Sequence, residues 1–237
     1  MIMILRKFML ITMIILIVLP LLGNSQASVD GIYLKNFPVK SPLQLSLTLQ
    51  SDEQLGDIVL LPEQSFNQKE VASMIDRLDQ LPPSMLVKIN QQHIKLKLFE
   101  GRLTDNPTAK HLKGITPRGY VSKKTWDDVP GVGGSKTVLV KIGASEKGNG
   151  HGSVNLELHE LAHSVDRYVY DEIRKDPMFL EIWEEEREAL FPGKPYFTTL
   201  PEEYFAETFA MYYLGEETRQ ELKNIAPNTF RFYSDLK

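Results

Sequence analysis

Along the chain, runs of period-two alternation and of period 3.6 are interrupted by glycine and proline, and they predict short strands early and helices late. Asp57-Ile58-Val59-Leu60-Leu61 is a compact apolar run stopped by Pro62, which predicts a short buried strand. Asn67 can cap a helix reaching about Leu81, with Val71, Met74, Ile75 and Leu78 on one face. Pro82-Pro83 breaks it, and a second short helix follows over about 84–91. Ile94-Lys95-Leu96-Lys97-Leu98 alternates strictly, which predicts a half-buried strand. Residues 101–136 are rich in Gly, Pro, Asp and Thr and predict long loops. Thr137 to Gly143 is the clearest strand, and Gly148-Asn149-Gly150-His151-Gly152 a sharp turn. Helical patterns then cover about 154–174, 177–190, 201–214 and 216–225. The result is an α+β chain with a mixed first lobe over about 28–150 and a helical second lobe over about 151–237. Ser28 to Pro38 is expected to be loosely held.

The N-terminus follows a different rule. Arg6 and Lys7 precede an almost wholly apolar run from Phe8 to Leu22, and Ser25-Gln26-Ala27 then offers small residues to a signal peptidase. Residues 1–27 are expected to be a cleaved export signal. A retained anchor is the alternative, which Pro20, Gly23 and the small-residue exit disfavour. Removing the segment takes away two bases and no acids, so the mature net charge is 25 − 31 = −6. An acidic chain without a basic run is not expected to bind nucleic acid. With no cysteine, the chain has no disulfides, no thiolate metal ligands and no lipid anchor on a thiol. Any metal site must use His and carboxylate.

Such a site is suggested by His159-Glu160-Leu161-Ala162-His163. On a helix, positions i and i+4 lie one above the other, so two imidazoles can grip one zinc ion while Glu160 stands beside them to handle a proton. A catalytic zinc takes three protein ligands and keeps one position open. The third is expected in Pro201-Glu202-Glu203-Tyr204-Phe205-Ala206-Glu207, where Glu203 and Glu207 share a helix face one turn apart. One can ligate the metal while the other hydrogen-bonds a ligating histidine. Tyr196 and His151, in loops beside these helices, are candidates to donate to an oxyanion. Trp126 is expected to be a core residue.

Several strings resemble the secreted Pro-Pro endopeptidases of Gram-positive bacteria: Leu98-Phe99-Glu100-Gly101-Arg102-Leu103-Thr104-Asp105, Lys124-Thr125-Trp126-Asp127-Asp128-Val129-Pro130-Gly131, Asn155-Leu156-Glu157-Leu158-His159-Glu160, and the Pro201–Glu207 run. They occur in order from about Ile58 to the C-terminus. The resemblance implies a zincin-like metallopeptidase domain over 28–237, similar to the catalytic fold of anthrax lethal factor, with the zinc site in the cleft between the lobes. It implies that His159, His163 and Glu203 hold one Zn2+, that Glu160 activates the water and that Glu207 orients a ligand. It also implies that Tyr196, seven residues before Glu203, is catalytic, and that His151 lies near the substrate.

Where the family carries Lys-Gly-Trp, this chain has Arg118-Gly119-Tyr120. The resemblance implies that the basic residue pairs with Glu202 and that the ring borders the substrate. The loop Gly133-Gly134-Ser135-Lys136 is variable in the family, and Lys136 is expected to affect selectivity. The implied partner is a proline-rich extracellular protein such as a bacterial surface adhesin. Proline lacks an N–H and fixes φ, so such a substrate must be recognised partly by shape. The strand at 137–142 is expected to be the edge along which the peptide lies antiparallel. A protease of the same fold with a toxin-like specificity, and a binding module with structural zinc, are the alternatives.

Overall fold

The structure is a computed structural model that describes residues 30–117 and 124–236. The segment 1–27 lies outside the described residues. A five-stranded sheet, in the order β1-β2-β3-β5-β4, comprises β1 (Ile32–Tyr33), β2 (Val59–Leu61), β3 (Lys95–Phe99), β4 (Gly131–Val132) and β5 (Thr137–Lys141). The three inner strands are parallel, with Leu96 opposite Val138 and Val59 opposite Leu96, and the two outer strands are antiparallel to their neighbours.

Ten α-helices are described: α1 (Pro42–Ser46), α2 (Asp52–Ile58), α3 (Gln68–Leu78), α4 (Pro83–Gln91), α5 (Leu156–Ser164), α6 (Pro177–Leu190), α7 (Pro195–Thr199), α8 (Pro201–Leu214), α9 (Glu216–Ile225) and α10 (Pro227–Asp235). Among the described residues, no helix is long and apolar enough to cross a membrane. One continuous apolar cluster runs from Leu34 to Tyr233 and joins the sheet to the helices.

The caps explain several boundaries. The Asn67 side chain accepts from Glu70 N at 3.2 Å and starts α3, whose apolar positions are all buried. Asn155 does the same for α5, accepting from Leu158 N at 3.0 Å. Glu186 performs the function at a distance: its carboxylate accepts from Asn228 N and Thr229 N, both at 2.8 Å, so α6 caps α10. Buried Glu157 meets Arg77 Nε at 2.5 Å and ties α5 to α3.

Five expectations need correction. Asp57 and Ile58 finish α2, so β2 begins only at Val59. The segment after Ser28 is not loose over its whole length, because Ile32 and Tyr33 pair with Leu61 and Leu60, and Leu34 is in the core. β3 is buried on both faces: Leu96 and Leu98 enter the main core, while Phe99 packs with Leu103, Ala109 and Leu139 in a second, smaller one. The cover for that second face comes from residues 101–117 and 124–129, which include three 3₁₀ stretches. Asp127 pins it by accepting from Thr104 Oγ1 at 2.6 Å, Gly114 N at 2.8 Å and Thr125 Oγ1 at 3.0 Å. These donors, Thr104 foremost, hold its carboxyl down to about 2. Trp126 packs partly on this second core and partly faces the cleft.

The fourth correction is that α5 ends at Ser164, and a single π-helical stretch over Val165–Val169 follows. Asp171 and Glu172 then adopt left-handed φ values of 52° and 62°, and the buried Asp166 takes Arg174 N and its guanidinium. That capture turns the chain back and stops the helix well short of residue 174. The fifth concerns the sheet edge. β5 is flanked by β3 and β4, so the free edge beside α5 belongs to Gly131–Val132, not to 137–142.

Candidate active site

Helix α5 presents His159 and His163 one turn apart, and α8 packs directly against it. Glu203 Oε2 lies 3.3 Å from His159 Nε2 and 3.4 Å from His163 Nε2. A tetrahedral ion with bonds of about 2.0–2.1 Å holds neighbouring ligand atoms about 3.3 Å apart. The spacing therefore fits a single zinc-sized ion, and these three residues form a group that can hold a metal. Glu203 Oε2 is buried without a well-directed hydrogen bond, as expected of an atom whose lone pair faces a metal position.

Glu207 sits one turn further along α8. Its Oε2 is 3.1 Å from His159 Nδ1, and its Oε1 accepts from Val154 N at 2.9 Å. A carboxylate only accepts, so in the neutral ring Nδ1 carries the hydrogen and Nε2 is the nitrogen left to face a metal beside Glu203. The two acidic positions left equivalent by helix spacing are thus divided between two nitrogens of one ring.

Glu160 lies between the metal group and β4. Burial raises its carboxyl pKa above the ordinary value, with the two histidines opposing, which moves it in the direction a general base near neutrality requires. Burial pushes the His159 imidazolium down, but the facing carboxylates of Glu203 and Glu207 outweigh this and bring it up to about 10. The Glu203 carboxyl is held well below its usual range: burial raises it, and its two histidine partners more than reverse that.

Two recesses meet at His159, Glu160 and Tyr196. One, about 370 Å³, runs over Val132, Gly133 and Gly134 toward His163, Arg167, Arg174, Trp126 and Glu202. The other, about 570 Å³, runs over Val129 and Pro130 toward Leu156, His151, Pro195 and Phe197. Tyr196 stands at the junction, 43% exposed, on the first turn of α7. His151 Nε2 donates to Ala144 O at 2.6 Å, and burial lowers its pKa, the hydrogen bond opposing.

The family is decided by comparison with known proteins. A family model described as "Anthrax toxin lethal factor, N- and C-terminal domain" matches residues 48–236. A Pro-Pro endopeptidase of Clostridioides difficile (strain 630) is 39% identical over 204 residues, 86% of this chain and 92% of that protein. One of Paenibacillus alvei is 40% identical over 188 residues, 79% and 86% of the two chains. The solved PRO-PRO endopeptidase structure (PPEP-2) from Paenibacillus alvei superposes with a TM-score of 0.74, covering 78% of this chain and 100% of that one. This chain belongs to the Pro-Pro endopeptidase family.

Other expected site residues fall unevenly in this Pro-Pro endopeptidase family member. Glu202 lines the first recess. Gly133 and Gly134 line it too, whereas Ser135 caps the β4–β5 turn by donating to Thr137 O at 2.6 Å. Lys136 points elsewhere: its Nζ donates to Gln92 O at 2.6 Å and lies 4.0 Å from the centre of the Tyr168 ring. Arg118 and Tyr120 lie outside the described residues.

Features that sequence reasoning missed cluster at the β4–α5 joint. A Cβ at Gly133 would lie 1.9 Å from Glu160 O, and one at Gly131 would lie 2.9 Å from Glu160 Cγ. Only bare backbone lets the strand approach α5 this closely. Ser164 locks the joint, accepting from Gly134 N at 3.1 Å and donating to Ser135 O at 2.8 Å. The Gly131-Val132-Gly133-Gly134 spelling was the available signal.

Proposed function

We propose that this chain is an exported zinc endopeptidase that hydrolyses Pro-Pro bonds in proline-rich linkers of extracellular proteins, bacterial surface adhesins among them. The observation that carries the reading is the match, at about 40% identity over most of both chains, to two Pro-Pro endopeptidases. Export rests on the Arg6-Lys7 start, the apolar run and the Ser25-Gln26-Ala27 exit.

His159, His163 and Glu203 would hold one zinc ion, which when bound polarises the scissile carbonyl and acidifies water. The substrate backbone lies antiparallel along the free edge of β4. Glu160 takes the proton of the attacking water and passes it to the departing proline nitrogen as the C–N bond breaks. Tyr196, at the junction of the recesses, donates a hydrogen bond from its hydroxyl to the oxygen that gains charge. Glu207 keeps His159 in the required tautomer. Because proline cannot donate to an edge strand, recognition falls partly to the shape of the walls.

Cleavage of a peptide library with mass-spectrometric readout, with and without chelator, tests the reading. Cuts confined to Pro-Pro bonds and abolished by chelator are expected. Equal cutting of bonds that lack proline would overturn the Pro-Pro assignment, and full activity in chelator would overturn the metal.

A further inference from the structure

The two recesses differ in charge, and β4 gives them a direction. The chain through β4 runs from Pro130, which lines only the larger recess, to Gly133-Gly134, which line only the smaller. A peptide antiparallel to it enters over Gly134 and leaves over Val129. The larger recess therefore receives the residues on the carboxyl side of the cut. Its floor includes Pro130, Leu156 and Phe197, which suit proline and other apolar side chains.

Its charged lining is one-sided. Lys147 and Lys194 line it, and Glu160, committed to the chemistry, is the only carboxylate among its described lining residues. Both lysines are exposed, and neither forms an ion pair among the described residues; Lys194 Nζ lies 5.7 Å from the Phe191 ring centre. In the smaller recess the cations are engaged: Arg174 is taken up by Asp166 and Glu172, and Arg167 donates to Gly134 O at 3.1 Å. Two cations without a carboxylate partner lining one recess, in a chain that is acidic overall, make a local field that favours negative charge.

We propose that Lys147 and Lys194 form a cationic rim that selects Pro-Pro substrates carrying Asp or Glu on the carboxyl side of the cut. The proposal rests on the Pro-Pro reading above. Pairing at the rim forms as well in the ground state as in the transition state, so it acts on KM rather than kcat.

The test is a peptide set with one Pro-Pro core, in which Asp, Asn or Lys is walked through P2′–P4′ and, in mirror, through P2–P4. Asp on the carboxyl side is expected to raise kcat/KM over Asn by about two- to fivefold per lysine engaged, through KM. The ratio should shrink toward one in about 0.5 M salt. In the double variant Lys147→Glu/Lys194→Glu the preference should invert toward Lys at the same position. An Asp effect that is absent, equal on the amino side, or unchanged by charge reversal overturns the rim. Failure to cut the neutral core peptide overturns the Pro-Pro reading and the rim with it; normal cutting without charge preference overturns the rim alone.

Discussion

Replacing Gly133 with alanine tests the β4–α5 joint with a single methyl group. The new Cβ would stand 1.9 Å from the Glu160 carbonyl oxygen, and ordinary contact begins near 3.4 Å. Strand and helix must therefore part by 3.4 − 1.9 = 1.5 Å, or the α5 backbone must yield. The obstacle is backbone, not the end of a flexible side chain, so no rotamer relieves it. Overpacking of this kind costs about 1–3 kcal/mol of stability. The larger effect is expected in turnover, because displacing β4, the proposed substrate edge, from Glu160 by more than about 1 Å costs on the order of 100-fold in rate. The assay is kcat/KM on a Pro-Pro peptide, with zinc content and thermal unfolding measured alongside. Gly215→Ala is the control: its φ of 169° is ordinary extended backbone and nothing lies within 4 Å of its Cβ position. A Gly133→Ala protein that is folded and zinc-loaded, and that turns over at the wild-type rate, would refute the close-approach reasoning.

Three further outcomes are expected. Glu207→Ala removes the acceptor for His159 Nδ1 and should weaken zinc binding about 10- to 100-fold in a competitive chelator titration; unchanged affinity would sink its orienting role. Arg77→Ala leaves Glu157 buried without its cation and should cost about 3–5 kcal/mol in urea unfolding, partly recovered by pairing it with Glu157→Leu; a loss below about 1 kcal/mol would contradict this. In metal-free protein His159, raised to about 10, is protonated at pH 7.5, so loading zinc should release about one proton, read by calorimetry in buffers of different ionisation enthalpy. The same raised value stabilises the metal-free fold fully below about pH 6.5 and is lost as pH rises through about 10, so the melting temperature of chelated protein should fall across that window.

Much of the site was legible because helices are written locally. The four-residue spacing of His159 and His163, the Asn67 cap, and Pro201 opening a 14-residue helix all depend on neighbours within one or two turns. Periodicity also assigned the faces of β3 correctly, with Leu96 and Leu98 together on the main core. It failed at covering, since whether the Lys97–Phe99 face meets water depends on a segment that folds back over it. It failed similarly at Asp57 and Ile58, where an apolar run is equally good as a helix end or a strand start.

By itself the sequence determined the donor set: two imidazoles, a base beside them and two acids one turn apart, with no thiol to compete. Tertiary structure alone decided that Glu203 faces Nε2 and Glu207 faces Nδ1, across 44 and 48 residues of chain. It also decided that Gly131–Val132, not the longer β5, is the free edge, and that Lys136 turns away from the cleft while Lys147 and Lys194 border it. The physical reason is range. Spacing along a helix is set by backbone geometry within a few residues, whereas pairing order, edges and the direction of a buried lone pair are set by packing between elements far apart in the chain.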